Sequence, residues 1–366
     1  MRPDAVPASP VLRLDHVTKS FGSKRALDDV SLSVPENSYV SLLGASGSGK
    51  TVLLRAIAGF DAVDGGTILL RGSPVNAVPA HRRNIGVVFQ NFALFPHLDV
   101  FENVAFGLRH AAGAASDDRA ITDKVRAMVD LVGLGGLERR AVTAISGGQR
   151  QRVALARTLV TEPRLVLLDE PLGALDANLR TRMCGELRRI RERLGVTFLH
   201  VTGSETEALA MGDQVIVLDG GHVAQVGQPQ EVYAHPRDAR VARFLNCYNL
   251  IEGHREGTGF VAEGQVLPCA QIGPASADVY ALRQDLIDVA RTGTATGPRL
   301  PATYVASEYS GPAVTSFFKL PSGAVVTVED HLSHREARDL EPGGSYELTW
   351  KVEDALLLAR RAEARA

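Results

Sequence analysis

Cysteine is scarce in this chain. Three occur among 366 residues, Cys184, Cys247 and Cys269, far apart and without C-x-x-C spacing. That excludes a disulfide framework and a cysteine zinc site, and it fits a reducing compartment. An excess of one charge is also lacking: 40 Lys and Arg against 42 Asp and Glu leave a formal net charge of −2. Such a balance offers neither the basic footprint of a nucleic-acid binder nor a polybasic membrane anchor. No apolar run approaches the roughly 18 residues needed to cross a bilayer. The opening M-R-P-D-A-V-P-A-S-P has no apolar stretch of the signal-peptide kind. The chain reads as cytosolic, reaching any membrane through a partner. Its length suggests two or three domains with ample core.

What is present centres on Val40 to Val52, V-S-L-L-G-A-S-G-S-G-K-T-V. A short apolar run ends at Gly44, and Gly44-Ala45-Ser46-Gly47-Ser48-Gly49-Lys50-Thr51 fits G-x-x-x-x-G-K-[ST]. Val52 and the apolar residues after it follow near-helical spacing. Strand, Gly-rich turn and helix together are the context that confirms a phosphate-binding loop. Glycines let successive N–H groups point inward at a polyphosphate, and the positive end of the helix adds to that field. Lys50 is expected to reach the β- and γ-phosphates and Thr51 to ligate Mg²⁺, so the chain binds a nucleoside triphosphate such as ATP.

Around this stretch, strand patterns at Val11 to Val17, Leu27 to Val34, Thr67 to Leu70, Ile85 to Phe89, Leu165 to Leu168 and Val196 to Val201 intersperse with helical ones. The helices are expected at Ala120 to Val132, Arg150 to Val160, Asp176 to Leu194 and Glu205 to Met211, with a loop at Ala111 to Ser116. Gln214 to Leu218 and His222 to Val226 flank a D-G-G turn and form a hairpin. Alternating strands and helices imply an α/β core with a mostly parallel sheet. Beyond Pro236 to Leu245, Gly and Pro punctuate short β-rich runs typical of a small barrel or sandwich. The boundary is placed near residue 240, giving domains 1–240 and 241–366.

Leu165 to Asp169 is an apolar strand ending in a carboxylate, suited to holding Mg²⁺ directly or through water. Glu170 follows at once, placed to orient and deprotonate a water that attacks the γ-phosphate. Ser146, Gly147, Gly148 and Gln149 open a helix with N–H groups and a hydroxyl facing an anion.

With Ile145 before it, that tetrad resembles the signature of the ATP-binding-cassette (ABC) ATPases, Ile replacing the usual Leu. The likeness extends over the first 240 or so residues. It implies a P-loop NTPase fold of α/β class with a mixed sheet, a helical subdomain at about 91–160, and an appended β domain. It also implies that Phe21 stacks on adenine and that Gln90 touches Mg²⁺ and the lytic water. Gly173-Ala174-Leu175-Asp176 resembles the D-loop that crosses a dimer interface. In that family the signature holds the γ-phosphate on the other copy's P-loop, so two copies sandwich two ATP molecules.

Asn91 to Phe106 resembles the surface that receives a coupling helix of the membrane subunit. Phe92, Phe95, Phe101 and Phe106 suit either that surface or the core, and most are assigned to the core. The tail, with Asn249-Leu250-Ile251-Glu252-Gly253, Leu282-Arg283-Gln284-Asp285 and Trp350, is similar to the TOBE-type β-barrel of importer ATPases. The resemblance thus implies an ATPase at the cytoplasmic face of the cell membrane, with two permease subunits, a second copy of itself and, indirectly, a solute-binding protein. Polyamine is the first expectation for cargo, with phosphonate, iron and sulfate close behind.

The pattern breaks once. Where such proteins read V-T-H-D, this chain reads Val201-Thr202-Gly203-Ser204, so Gly203 stands at the switch-histidine position. His200, three residues earlier on a strand, is expected to face the opposite side. Two other readings compete with this one. A soluble cassette ATPase of translation or repair needs a second cassette or a long coiled-coil insertion, and neither is present. An ATP-dependent clamp that scarcely hydrolyses is suggested by Gly203 and opposed by Glu170.

Overall fold

The computed structural model describes residues 10–110, 117–173, 177–257, 259–270, 273–274, 276–294, 297–333 and 338–360. The loop expected at 111–116 and D-loop residues 174–176 lie outside them. Two compact units divide the chain, Met1–Val232 and Tyr233–Ala366.

The first unit runs β1 (Leu12–Phe21), β2 (Lys24–Val34), β3 (Tyr39–Leu43), α1 (Lys50–Ala58), β4 (Gly65–Leu70), β5 (Ser73–Pro74) and β6 (Ile85–Val88). Next come α2 (Val100–His110), α3 (Asp118–Leu131), α4 (Gly147–Leu159), β7 (Leu165–Asp169), α5 (Ala177–Leu194), β8 (Thr197–Thr202), α6 (Glu205–Met211), β9 (Gln214–Asp219) and β10 (His222–Gly227). Strands β2-β1-β4-β5 make an antiparallel sheet, and β10-β9-β3-β8-β7-β6 make a second. In the second sheet β9, β3, β8, β7 and β6 are parallel and only β10 runs against them, so the sheet is mixed.

Both faces of the parallel strands are covered, which is why they read as nearly unbroken apolar runs. Their period of two sorts side chains to two cores. Leu165, Leu167, Leu199 and Val201 pack with α1 and the antiparallel strands, whereas Val166, Leu168 and Phe198 pack with residues of α2, α3 and α4. Phe92 and Phe101 belong to this second core; Phe95 and Phe106 are half-buried, their rings in contact at a tilt of 36° with centroids 4.3 Å apart. Buried Asn103 holds the segment before α2, accepting from the Phe95 N–H (2.9 Å) and donating to the carbonyls of Phe95, Leu98 and Asp99.

A short helix, α7 (Pro229–Ala234), contains the division at Val232, and α8 (Ala239–Phe244) precedes the β-rich part of the second unit. There β11 (Tyr248–Glu252), β15 (Val279–Arg283) and β21 (Ala355–Leu358) form one sheet. A second consists of β12 (His254–Glu256), β13 (Gly259–Ala262) and β14 (Gln265–Pro268). A third has the order β16-β20-β17-β18-β19, from β16 (Asp288–Arg291), β17 (Arg299–Tyr309), β18 (Ala313–Lys319), β19 (Val325–His331) and β20 (Ser345–Thr349). Phe260, Tyr280, Phe318 and Trp350 share one core, with Trp350 Nε1 donating to the Tyr280 hydroxyl at 3.0 Å.

Candidate active site

Strand order assembles the site. The carboxyl ends of β3, β8, β7 and β6 lie side by side, about 4.8 Å per step. Each hands over to one motif: β3 to Gly44 through Thr51, β8 to Gly203, β7 to Asp169 and Glu170, and β6 to Gln90. Ligands of open α/β sheets bind outside this edge.

Glycine is required at two points of the first loop for different reasons. At Gly44 a Cβ would lie 2.3 Å from the Leu218 carbonyl oxygen and 2.6 Å from Ser48 Oγ. At Gly49, φ is +102° and a Cβ would meet the Ala26 carbonyl at 2.5 Å. Gly49 is also the N-cap of α1 and supplies no side-chain cap, leaving the first N–H groups of α1 to an anion. Buried Ser48 Oγ has no hydrogen-bond partner among the described residues.

Lys50 is folded onto its own loop, Nζ donating to the carbonyls of Gly44 (2.7 Å) and Ala45 (2.9 Å). Burial lowers its pKa, against the opposing pull of the Glu170 and Asp169 carboxylates. The Asp169 carboxyl is raised, first by burial and then by Glu170 beside it, with Lys50 opposing. Glu170 sits at φ 43°, left-handed for a residue with a Cβ. Its N–H donates to the Val201 carbonyl at 2.9 Å and its Oε2 accepts from Gln90 Nε2 at 3.2 Å. Such strain persists only where the surroundings over-determine it, and it clusters at working sites.

A cleft of about 410 Å³ joins Phe21, Lys24, Ser46, Lys50, Glu170 and Gly203, with Gly47, Gly49, Thr51 and Val52 also lining it. Phe21 is 53% exposed, its ring near the Lys19 ammonium (5.3 Å to the centroid), so one aromatic face is free for a planar base. Gly203 contributes no side chain, and a Cβ built there meets nothing within 4 Å. His200, in contrast, is wholly buried on the other face of β8, with Tyr39 Oη 3.2 Å from its Nδ1. Burial pushes its pKa down to about 3, leaving it neutral.

The signature residues do not line this cleft. Ser146 N-caps α4, its Oγ accepting from the Gln149 N–H (3.3 Å) while its own N–H donates to Gln149 Oε1 (2.9 Å). A Cβ on Gly148 would press on Leu179 at 3.0 Å. A larger cavity, about 630 Å³ and lined by Met128, Glu162, Arg164 and Arg193 among others, contains none of the motif residues.

Several contributors carry no motif signal. Lys24 and Ala26 enter the cleft because the β1–β2 turn folds over the loop. Arg157 donates to the carbonyls of Phe92 (2.9 Å) and Ala93 (2.6 Å), two residues at positive φ just after Gln90. Buried Arg83 gathers the carbonyls of Ala56 and Ile57 (2.9 Å each) at the far end of α1. Each depends on a contact distant in sequence, which periodicity does not report.

The family model described as "ABC transporter" matches residues 27–173, and that described as "TOBE domain" matches 280–358. The spermidine/putrescine import ATP-binding protein PotA of Rubrobacter xylanophilus is 40% identical over 359 residues, covering 95% of this chain and 93% of that protein. The chain belongs to the ABC import ATPases. The PotA of Desulfitobacterium hafniense is 47% identical over 243 residues, covering 66% of this chain and 69% of that one. The sulfate/thiosulfate import ATP-binding protein CysA of Burkholderia mallei is 50% identical over 247 residues, covering 67% and 70%. Among solved structures, cbiO1 from Clostridium perfringens, part of the ABC transporter complex cbiONQ, aligns with TM-score 0.57 and 26% identity. It covers 65% of this chain and 95% of that one. The ATP-binding cassette MJ0796, dimeric and bound to ADP and Pi, aligns with TM-score 0.54 and 30% identity, covering 60% and 98%. This ABC ATPase therefore hydrolyses ATP and carries a C-terminal TOBE domain. No helix among its described residues is long and apolar enough to cross a membrane.

Proposed function

We propose that this ABC ATPase drives uptake of polyamine by hydrolysing ATP in a sandwich of two copies beneath two permease subunits. The observation that carries the reading is the cleft that brings Phe21, the phosphate loop, Glu170 and Gly203 together from four separate stretches. Adenine lies on Phe21, and the polyphosphate lies along Gly44 to Thr51. Lys50 leaves the Gly44 and Ala45 carbonyls for the phosphates. Gln90 holds the Glu170 carboxylate, which takes the proton of the attacking water.

The donors fit Mg²⁺. Thr51, Asp169 and Gln90 offer only hard oxygen ligands, and Asp169, already raised by burial and by Glu170, gains from a nearby cation. When bound, Mg²⁺ neutralises charge on the β- and γ-phosphates. Ser146 to Gln149, outside their own cleft, serve the partner copy's nucleotide. ATP then drives transport through its stronger binding to the closed pair.

Polyamine is favoured because the 40% match to a polyamine-import subunit runs through the C-terminal unit, whereas the sulfate-import match spans 247 residues. Uptake of labelled spermidine and of sulfate by cells expressing the complete transporter decides between them. For the sandwich, Glu170→Gln should bind ATP, stop turnover and dimerise in light scattering. A variant that stays monomeric at saturating ATP sinks the reading.

A further inference from the structure

Helix α6 begins with a capping box that is closed through an intermediary. Ser204 is its N-cap, with Oγ accepting from the Glu207 N–H at 3.3 Å. In the reciprocal half of such a box the carboxylate three residues on accepts from the N-cap N–H. Ser146 and Gln149 close theirs directly. Here Thr202, the last residue of β8, is interposed. The Ser204 N–H donates to Thr202 Oγ1 (3.0 Å), and that hydroxyl donates to Glu207 Oε2 (2.8 Å). The other carboxylate oxygen, Oε1, is 3.3 Å from Arg180 Nε on α5. Thr202 is 3% exposed and Glu207 5%. An unmade bond at either would leave a buried polar group unsatisfied.

The consequence falls on the residue between the anchors. Gly203 lines the same cleft as Glu170, a Cβ built on it would meet nothing within 4 Å, and as glycine it has the greatest backbone freedom. Its two neighbours, Thr202 and Ser204, are tied to each other and to Glu207. His200 does not compete for the carboxylate, since its Nε2 stands 3.7 Å from Glu207 Oε2 and burial keeps the ring neutral.

We propose that Thr202 and Glu207 are positioning residues that hold the Gly203 corner in its reactive geometry against the γ-phosphate. The inference rests on reading Gly203 as the residue beside that phosphate. It assigns the threonine hydroxyl a task in turnover beyond capping a helix, and makes Arg180 the link through which α5 supports the corner.

Thr202→Val removes the hydroxyl at nearly constant shape, and Thr202→Ser retains it. In single-turnover hydrolysis by the full chain, Thr202→Val should lower the rate about tenfold, below the full worth of one preorganised donor. Its ATP Kd should stay within about twofold, because the phosphate loop is untouched, and Thr202→Ser should recover most of the rate. Glu207→Gln, which keeps an acceptor for the hydroxyl, should lose less than Thr202→Val. An unchanged rate in Thr202→Val, or an equal loss in Thr202→Ser, overturns the proposal. If Thr202→Val does not fold, Thr202→Ala read against Thr202→Ser decides on the same criterion. Gly203→His tests the underlying reading separately. If it changes nothing while Thr202→Val still slows turnover, the γ-phosphate reading fails and the proposal falls with it; if it raises turnover while Thr202→Val changes nothing, that reading holds and only the positioning role fails.

Discussion

Placing histidine at Gly203 adds a side-chain donor to the cleft that Glu170 also lines. Its Cβ would meet nothing within 4 Å, so the first carbon of the side chain enters without a clash. A preorganised donor to a developing oxyanion is worth about 2.7–4 kcal/mol. Against this, ordering an unpacked imidazole costs on the order of 1 kcal/mol, and solvent in the open cleft screens a similar amount. About 0.7–2 kcal/mol remains, a rise of roughly three- to thirtyfold in the chemical step. The assay is rapid-quench single-turnover hydrolysis of ATP, with Gly203→Ala as the control that adds bulk without a donor. ATP affinity should change little. The reasoning is refuted if wild type already turns over briskly and Gly203→His adds nothing. Loss of activity in a folded His200→Ala variant would make the buried ring the working switch instead.

Lys50→Ala should weaken ATP binding by about 10- to 100-fold, the worth of charge-assisted hydrogen bonds to phosphate, as measured by nucleotide titration. Unchanged affinity would mean that the loop backbone alone carries the charge. Phe21→Ala should raise the Kd for ATP by about fivefold or more, at the lower end of what base stacking supplies, with single-turnover rate at saturation preserved. A fall in rate without a fall in affinity would place the ring elsewhere. His200 has a folded pKa near 3, below its unfolded value of about 6.5. The unfolded chain therefore binds this proton first as pH falls, so the stability from the neutral ring is complete above about pH 6.5 and lost toward pH 3. Chemical denaturation at pH 7 and 5 should show up to about 2 kcal/mol of loss from this group, absent in His200→Gln. Equal acid sensitivity in the two proteins would contradict it.

Much of the site was legible because its parts are local. A glycine-rich turn, an N-capping serine before glycines, and an apolar strand ending in two carboxylates each answer a demand of the nearby backbone, and sequence alone displays that demand. The period of two placed His200 away from Gly203, and the structure finds it buried beside Tyr39. The appended β-rich part was legible only as texture; its strand pairings, such as β16 beside β20, join residues far apart in the chain.

Strand order was a tertiary decision. β8 lies between β3 and β7, and this brings Gly203 and Glu170 to one cleft with a loop more than a hundred residues earlier. The left-handed Glu170, held by the Val201 carbonyl of the neighbouring strand and by Gln90, likewise follows from contacts between distant stretches. The physical reason is one of range. Turn chemistry and side-chain alternation are set within a few residues, whereas the choice of neighbours is set by burying two faces of one sheet at once.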